Sequence, residues 1–127
     1  MQRELIKNIN AINNSIDELC SSINRSRDEI TLIAVSKKKG FELVKLALEN
    51  GINNFGENYA QELQEKSSLI DSDNIVWHFI GPIQSNKVKV IANNADWIHT
   101  LEREKIIRKF NDAVSYTHLT LPTTIEV

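Results

Sequence analysis

A single cysteine, Cys20, is the whole thiol content of the chain. That excludes an internal disulfide framework and suits a reducing compartment. No apolar run approaches the roughly 20 residues needed to span a bilayer, and the amino-terminal stretch is mostly polar, without the apolar centre of a secretory leader. The expectation is a soluble, cytoplasmic chain with no membrane partner. Charge of one sign is also missing. The formal charge is -2, and the lysines are scattered between acidic residues instead of forming a phosphate-tracking stripe, so nucleic acid is not an expected partner. There is no Gly-x-Ser-x-Gly elbow, no glycine-rich phosphate loop ending in Lys-Ser/Thr, and no Gly-x-Gly-x-x-Gly after the first expected strand. Hydrolase, nucleotide triphosphatase and dinucleotide-binding readings lose their main support. His78, His99 and His118 lack ligand spacing and a cysteine pair, so no metal is expected.

What remains is an ordinary globular composition, 41% hydrophobic and 25% charged over 127 residues, the length of one domain. The chain is organised around the run Ile30-Thr31-Leu32-Ile33-Ala34-Val35-Ser36-Lys37. It is short, β-branched and apolar on both alternating faces, the pattern of a fully buried parallel strand. Lys37 would then sit at the carboxyl end of that strand, the edge where ligands bind in open α/β sheets and β/α barrels alike. Lys38 and Lys39 beside it, and the apolar strand beneath it, disfavour the ammonium form. A neutral lysine amine attacks aldehydes, which makes Lys37 a candidate Schiff-base lysine; the plainer alternative is a strand-ending lysine that reaches water.

Apolar residues at spacings of three and four, Leu5, Ile9, Ile12, Ile16, Leu19 and Ile23, predict a helix over 5–23, with Cys20 beside its stripe as a small hydrophobe. Ser26 and Glu29 have capping-box spacing, but the β-branched run that follows argues for a loop. Helices are expected over 41–50, closed by Gly51, and over 59–69, 85–93 and 102–110. Strands are expected over 52–55, 75–80 and 96–100. Strand and helix therefore alternate four times at a nearly constant step. Such units force parallel strands, in either a doubly wound sheet or a β/α barrel, and the spacing alone does not choose. A closed barrel takes eight units, so a barrel reading makes this half of one.

The strand ends collect Ser36-Lys37, Gly56-Glu57-Asn58, Gly81-Pro82-Ile83-Gln84-Ser85-Asn86-Lys87 and His99-Thr100. The glycines permit close approach of backbone to a ligand, and Ser85-Asn86 at a helix start offers amide donors to an anion. Asn58 and Gln84 are neutral hydrogen-bonding groups, so a phosphate or polar aromatic ligand would suit the rim. Each feature alone is ordinary turn chemistry; their coincidence at every strand end is the signal.

Ala34-Val35-Ser36-Lys37, Phe55-Gly56-Glu57-Asn58-Tyr59 with Gln61-Glu62, and Trp77-His78-Phe79-Ile80-Gly81-Pro82-Ile83-Gln84-Ser85-Asn86-Lys87, in this order and spacing, resemble the pyridoxal phosphate homeostasis protein family. The resemblance covers about residues 1–111. It implies a fold like the amino-terminal barrel of alanine racemase, here the first half of a (β/α)8 TIM barrel: a leading helix and four βα units. It implies pyridoxal 5'-phosphate as cofactor, held as a Schiff base on Lys37, with Asn58 a cofactor contact and Lys39 the second lysine usual two positions on. Gly81, Ser85 and Asn86 complete the expected cofactor-binding set. A non-catalytic carrier that buffers the aldehyde and delivers it to apoenzymes is implied; the alternative is an enzyme of the same barrel type, a racemase or decarboxylase. Where the family continues into four more strands with phosphate-gripping loops, residues 115–127 are threonine-rich and carry Pro122. The expectation is a partial barrel over 1–114 followed by a non-native, vector-derived or disordered tail, in a truncated form with open sheet edges, a tendency to self-pair and weak cofactor affinity.

Overall fold

The computed structural model describes residues 2–37, 39–70, 74–101 and 104–117. Lys38, residues 71–73, the expected helix start at 102–103 and residues 118–127 of the tail expected over 115–127 lie outside the described residues.

Helix α1, Gln2–Ser22, turns Ile9 and Cys20 inward and lies against α2, Phe41–Glu49, while Ile12 and Leu19 of the expected stripe face out. Cys20 is free and buried, a small hydrophobe as its place in the pattern implied. Ser26 does cap a turn, which corrects the loop expected there. Its hydroxyl accepts from the Asp28 N–H at 3.3 Å and opens one 3-10 turn, Arg27–Glu29, before the β-branched run begins.

Strands β1, Ile33–Val35, β2, Asn54–Glu57, β3, Val76–Phe79, and β4, Trp97–Ile98, form one parallel sheet in the order β1-β2-β3-β4. Between them come α2, α3, Ala60–Leu69, and α4, Val88–Asn94, the last entered through a 3-10 turn at Ser85–Lys87. Helix α5, Glu104–Thr117, follows β4. The order decides what the spacing left open. Right-handed crossovers that always step the same way place every helix on one face, whereas a doubly wound sheet reverses its order once. Sequential parallel order is that of a β/α barrel, and four units make half of one.

The helix-side face carries the core: Phe55, Trp77, Phe79 and Ile98 from the sheet against Leu63, Ile91, Ile106 and Phe110 from the helices. Phe55 and Trp77, partners in the β2/β3 register, hold their ring centroids 5.7 Å apart. The other face has no such cover among the described residues: Val35 is 51% and Trp97 44% exposed.

That uncovered face corrects the expectation of a fully buried first strand. Among the described residues β1 has β2 as its one neighbour, with Ile33, Ala34 and Val35 in register, so its apolar run extends beyond its ladder and is half-buried at Ile33 and Ala34 and exposed at Val35. β2 lies two residues later than expected, which moves Glu57 from a turn into a strand. Helix α5 runs on past Phe110 to Thr117, because Ala113 continues the inward stripe of Ile106 and Phe110. Gly51 closes α2 at φ +93°, a conformation L side chains rarely adopt. No described helix is long and apolar enough to cross a membrane.

Candidate functional site

Because all four strands run parallel, the loops after them share one rim. The residue before Lys37 is fixed there through every polar group it has. The Ser36 N–H donates to the Gly56 carbonyl at 2.9 Å, continuing the β1/β2 ladder, and its hydroxyl donates to a Glu57 carboxylate oxygen. Its carbonyl accepts from Lys66 Nζ at 2.5 Å and from the Lys39 N–H at 3.1 Å. The last bond closes a turn from Ser36 to Lys39, with Lys37 as its exposed second residue. The desolvation expected of a lysine rooted in an apolar strand is therefore not supplied by burial: Lys37 stands in solvent on an anchored turn.

Behind the turn, Glu57 and Lys66 form a buried ion pair, 2.9 and 3.0 Å from Nζ to the two carboxylate oxygens, with Glu57 fully buried and Lys66 5% exposed. Burial pushes the Glu57 carboxyl above its usual range, and the Ser36 hydroxyl and Lys66 ammonium pull it back. Glu62 adds a second carboxylate, 3.9 Å from Nζ.

The next two loops are tied to each other. Gly81 presses on the Asn58 main chain so closely that a methyl group there would lie 2.7 Å from the Asn58 carbonyl carbon. The Thr100 hydroxyl, from the loop after β4, donates to the Gly81 carbonyl at 2.6 Å. Asn58 Oδ1 is buried yet has no hydrogen-bond partner among the described residues, a site that a donor on a ligand would satisfy. Asn58 lines a pocket of about 340 Å³ with Tyr59, Gln61, Gln84 and Lys87.

On the face away from the helices, His78 is buried against Trp97 and bonded at both ring nitrogens, to Asn54 Oδ1 and His99 Nε2, each 2.9 Å away. Facing an amide oxygen, Nε2 donates; Nδ1 of the neutral ring then accepts from His99. Burial first, and the His99 charge second, lower His78 to about 4. Among the described residues, no cluster of three His, Cys, Asp or Glu side chains could hold a metal.

Of the residues expected from sequence, Lys37, Asn58 and Gly81 share the rim, and Gly81 touches Asn58. Ser85 and Asn86 line a different hollow of about 310 Å³, against Lys109 and Asp112 of α5. Lys39 contributes its backbone N–H to the turn. Sequence reasoning missed Lys66, which lies within the helix expected over 59–69. The available signal was its place on the inward side of α3, three residues after the fully buried Leu63.

No family model matches the chain. Curated proteins do. The chain is 44% identical over 113 residues to the pyridoxal phosphate homeostasis protein of Buchnera aphidicola subsp. Schizaphis graminum, covering 86% of this chain and 49% of that protein. It is 38% identical over 112 residues to the protein of the same name from Escherichia coli K12, covering 86% and 48%. The chain thus spans about half the length of these relatives. Among solved structures, PipY of Synechococcus elongatus PCC7942 with PLP bound superposes with a TM-score of 0.67 at 30% identity, over 79% of this chain and 48% of PipY.

Proposed function

The chain is homologous to pyridoxal phosphate homeostasis proteins over about half their length, and from that premise we propose that it binds pyridoxal phosphate covalently through Lys37 and serves as a carrier of that cofactor. The observation that carries the reading is the placement of Lys37: an exposed amine on a turn anchored at the carboxyl rim, next to a strand end whose Asn58 Oδ1 has no donor among the described residues. The residues fit the group. Pyridoxal phosphate, when bound, supplies an aldehyde with which a neutral lysine amine condenses with loss of water. Lys37 provides that amine, Asn58 an acceptor for a donor group on the ligand, and Gly81 the close packing that keeps the Asn58 loop in place. A lysine amine by itself captures an aldehyde without turning a substrate over, which supports a non-catalytic carrier that delivers to apoenzymes. The single, buried Cys20 suits a reducing compartment, and we place the chain in the cytoplasm on that ground.

The test is to incubate the full chain with pyridoxal phosphate, reduce with borohydride, digest and map the label. We expect it on Lys37 and expect Lys37→Met to lose it; label spread evenly over exposed lysines sinks the reading. The His78–His99 pair favours a second reading, an enzyme of the same barrel type, because it sets two hydrogen-bonded imidazoles on the open sheet face. Exchange of an amino acid α-proton with solvent would establish that reading, and its absence would remove it.

A further inference from the structure

The proposed function leaves one buried group unused, the Glu57–Lys66 pair. Stability alone is a weak explanation for it: removing two charges from water costs several kcal/mol per ion, and apolar replacements of buried pairs are often neutral or stabilising. An apolar pair, however, could not hold Ser36. The carboxylate takes the Ser36 hydroxyl and the ammonium takes the Ser36 carbonyl, so β1, β2 and α3 meet at the residue that precedes Lys37.

We infer that Glu57 and Lys66 are positioning residues, a clamp that fixes the Ser36–Lys39 turn so that the amine of Lys37, and not that of Lys39, is presented to a carbonyl ligand. This deepens the reading of Lys37 given above and rests on it. Without the clamp, Ser36 keeps only its ladder bond to Gly56 and the turn bond to Lys39. The turn then samples other geometries, and the amines of Lys37 and Lys39, both carried on it, become equivalent. A bond held ready in advance lowers the ordering cost of capture, which is how a residue that touches no ligand changes an equilibrium.

Three variants of the full chain test this: Lys66→Met, Ser36→Ala, and the double variant Glu57→Leu with Lys66→Met. Two readouts are taken, amide hydrogen exchange at the Lys39 N–H without any ligand, and the distribution of borohydride-trapped pyridoxal phosphate between Lys37 and Lys39. The clamp predicts about tenfold faster Lys39 exchange, and a label shared between the two lysines where the parent labels Lys37. The double variant separates positioning from stability: it is expected to unfold at a similar urea concentration yet to lose Lys37 selectivity. Parent-like exchange and selectivity in a folded double variant overturn the inference. Should that variant not fold, Ser36→Ala decides by the same two criteria. Absence of label on Lys37 in the parent defeats the proposed function instead, and the exchange arm still judges the clamp.

Discussion

Acidification should destabilise this fold through His78. The ring is 4% exposed and satisfied only when neutral, with Nε2 donating to Asn54 and Nδ1 accepting from His99. Protonating Nδ1 sets a new N–H against the N–H that His99 donates, inside a site that already disfavours charge. The folded ring titrates near 4 and the unfolded one near 6.5. Within that window the unfolded chain holds a proton that the folded chain refuses, so stability falls as pH drops. The full window corresponds to about 3 kcal/mol, and the step from pH 7 to pH 5 to about 2 kcal/mol. Glu57 tilts the opposite way: its raised value favours the folded chain most below the usual carboxyl range and less as pH rises. Comparing the parent with His78→Gln removes that background. Urea unfolding at both pH values should show the parent losing about 2 kcal/mol more than the variant. Equal losses would refute the neutral, doubly bonded ring.

Gly81→Ala should cost about 1–3 kcal/mol in urea unfolding, because the added methyl meets main chain at Asn58 that must move. Thr100→Val, which removes the donor to the Gly81 carbonyl, should cost about 1 kcal/mol by the same assay. Phe110→Ala should cost about 3–5 kcal/mol, since the ring is fully buried where α5 meets α4; a loss under about 1 kcal/mol would mean α5 does not dock. Lys37→Met should leave stability within about 0.5 kcal/mol of the parent, because the side chain is exposed, while abolishing the trapped label that the proposed function places on it.

The alternation of strand and helix was legible because each element carries its own period and its own stop, as at Gly51. Strand order was not, since nothing local to a strand names its neighbour; the choice between barrel and doubly wound sheet came only from the parallel ladders. The extent of β1 was over-read for a related reason. An apolar run reports what a residue prefers, while a strand ends where its partner ends, and β2 offers β1 only Asn54 to Gly56. At the rim, Lys37, Asn58 and Gly81 were legible as residues at strand ends. Ser85 and Asn86 met the same criterion but follow Gly81 by enough chain to turn toward α5. Lys66 stayed hidden because a lysine in a charged helix reads as solvated until its facing carboxylate is known.

The segment Gly56-Glu57-Asn58 shows why a short motif can bear on a site it barely touches. Period-two alternation sends consecutive residues to opposite faces of the sheet. Gly56 lies on the open face, where a side chain would crowd Ile80 and Ile33 at 3.0 and 3.2 Å. Glu57 lies on the helix side, where its charge is tolerable only because Lys66 arrives from α3 and Ser36 from β1. Asn58 stands at the rim with an oxygen that no described residue satisfies. One residue admits close packing on one face, the next anchors the neighbouring strand's lysine-bearing turn, and the third carries the acceptor that the proposed function assigns to a ligand. Shifting this register by one position would bury the asparagine, expose the glutamate and release Ser36 together. The chemistry proposed for Lys37 therefore depends on the register of the strand beside it as much as on the lysine itself.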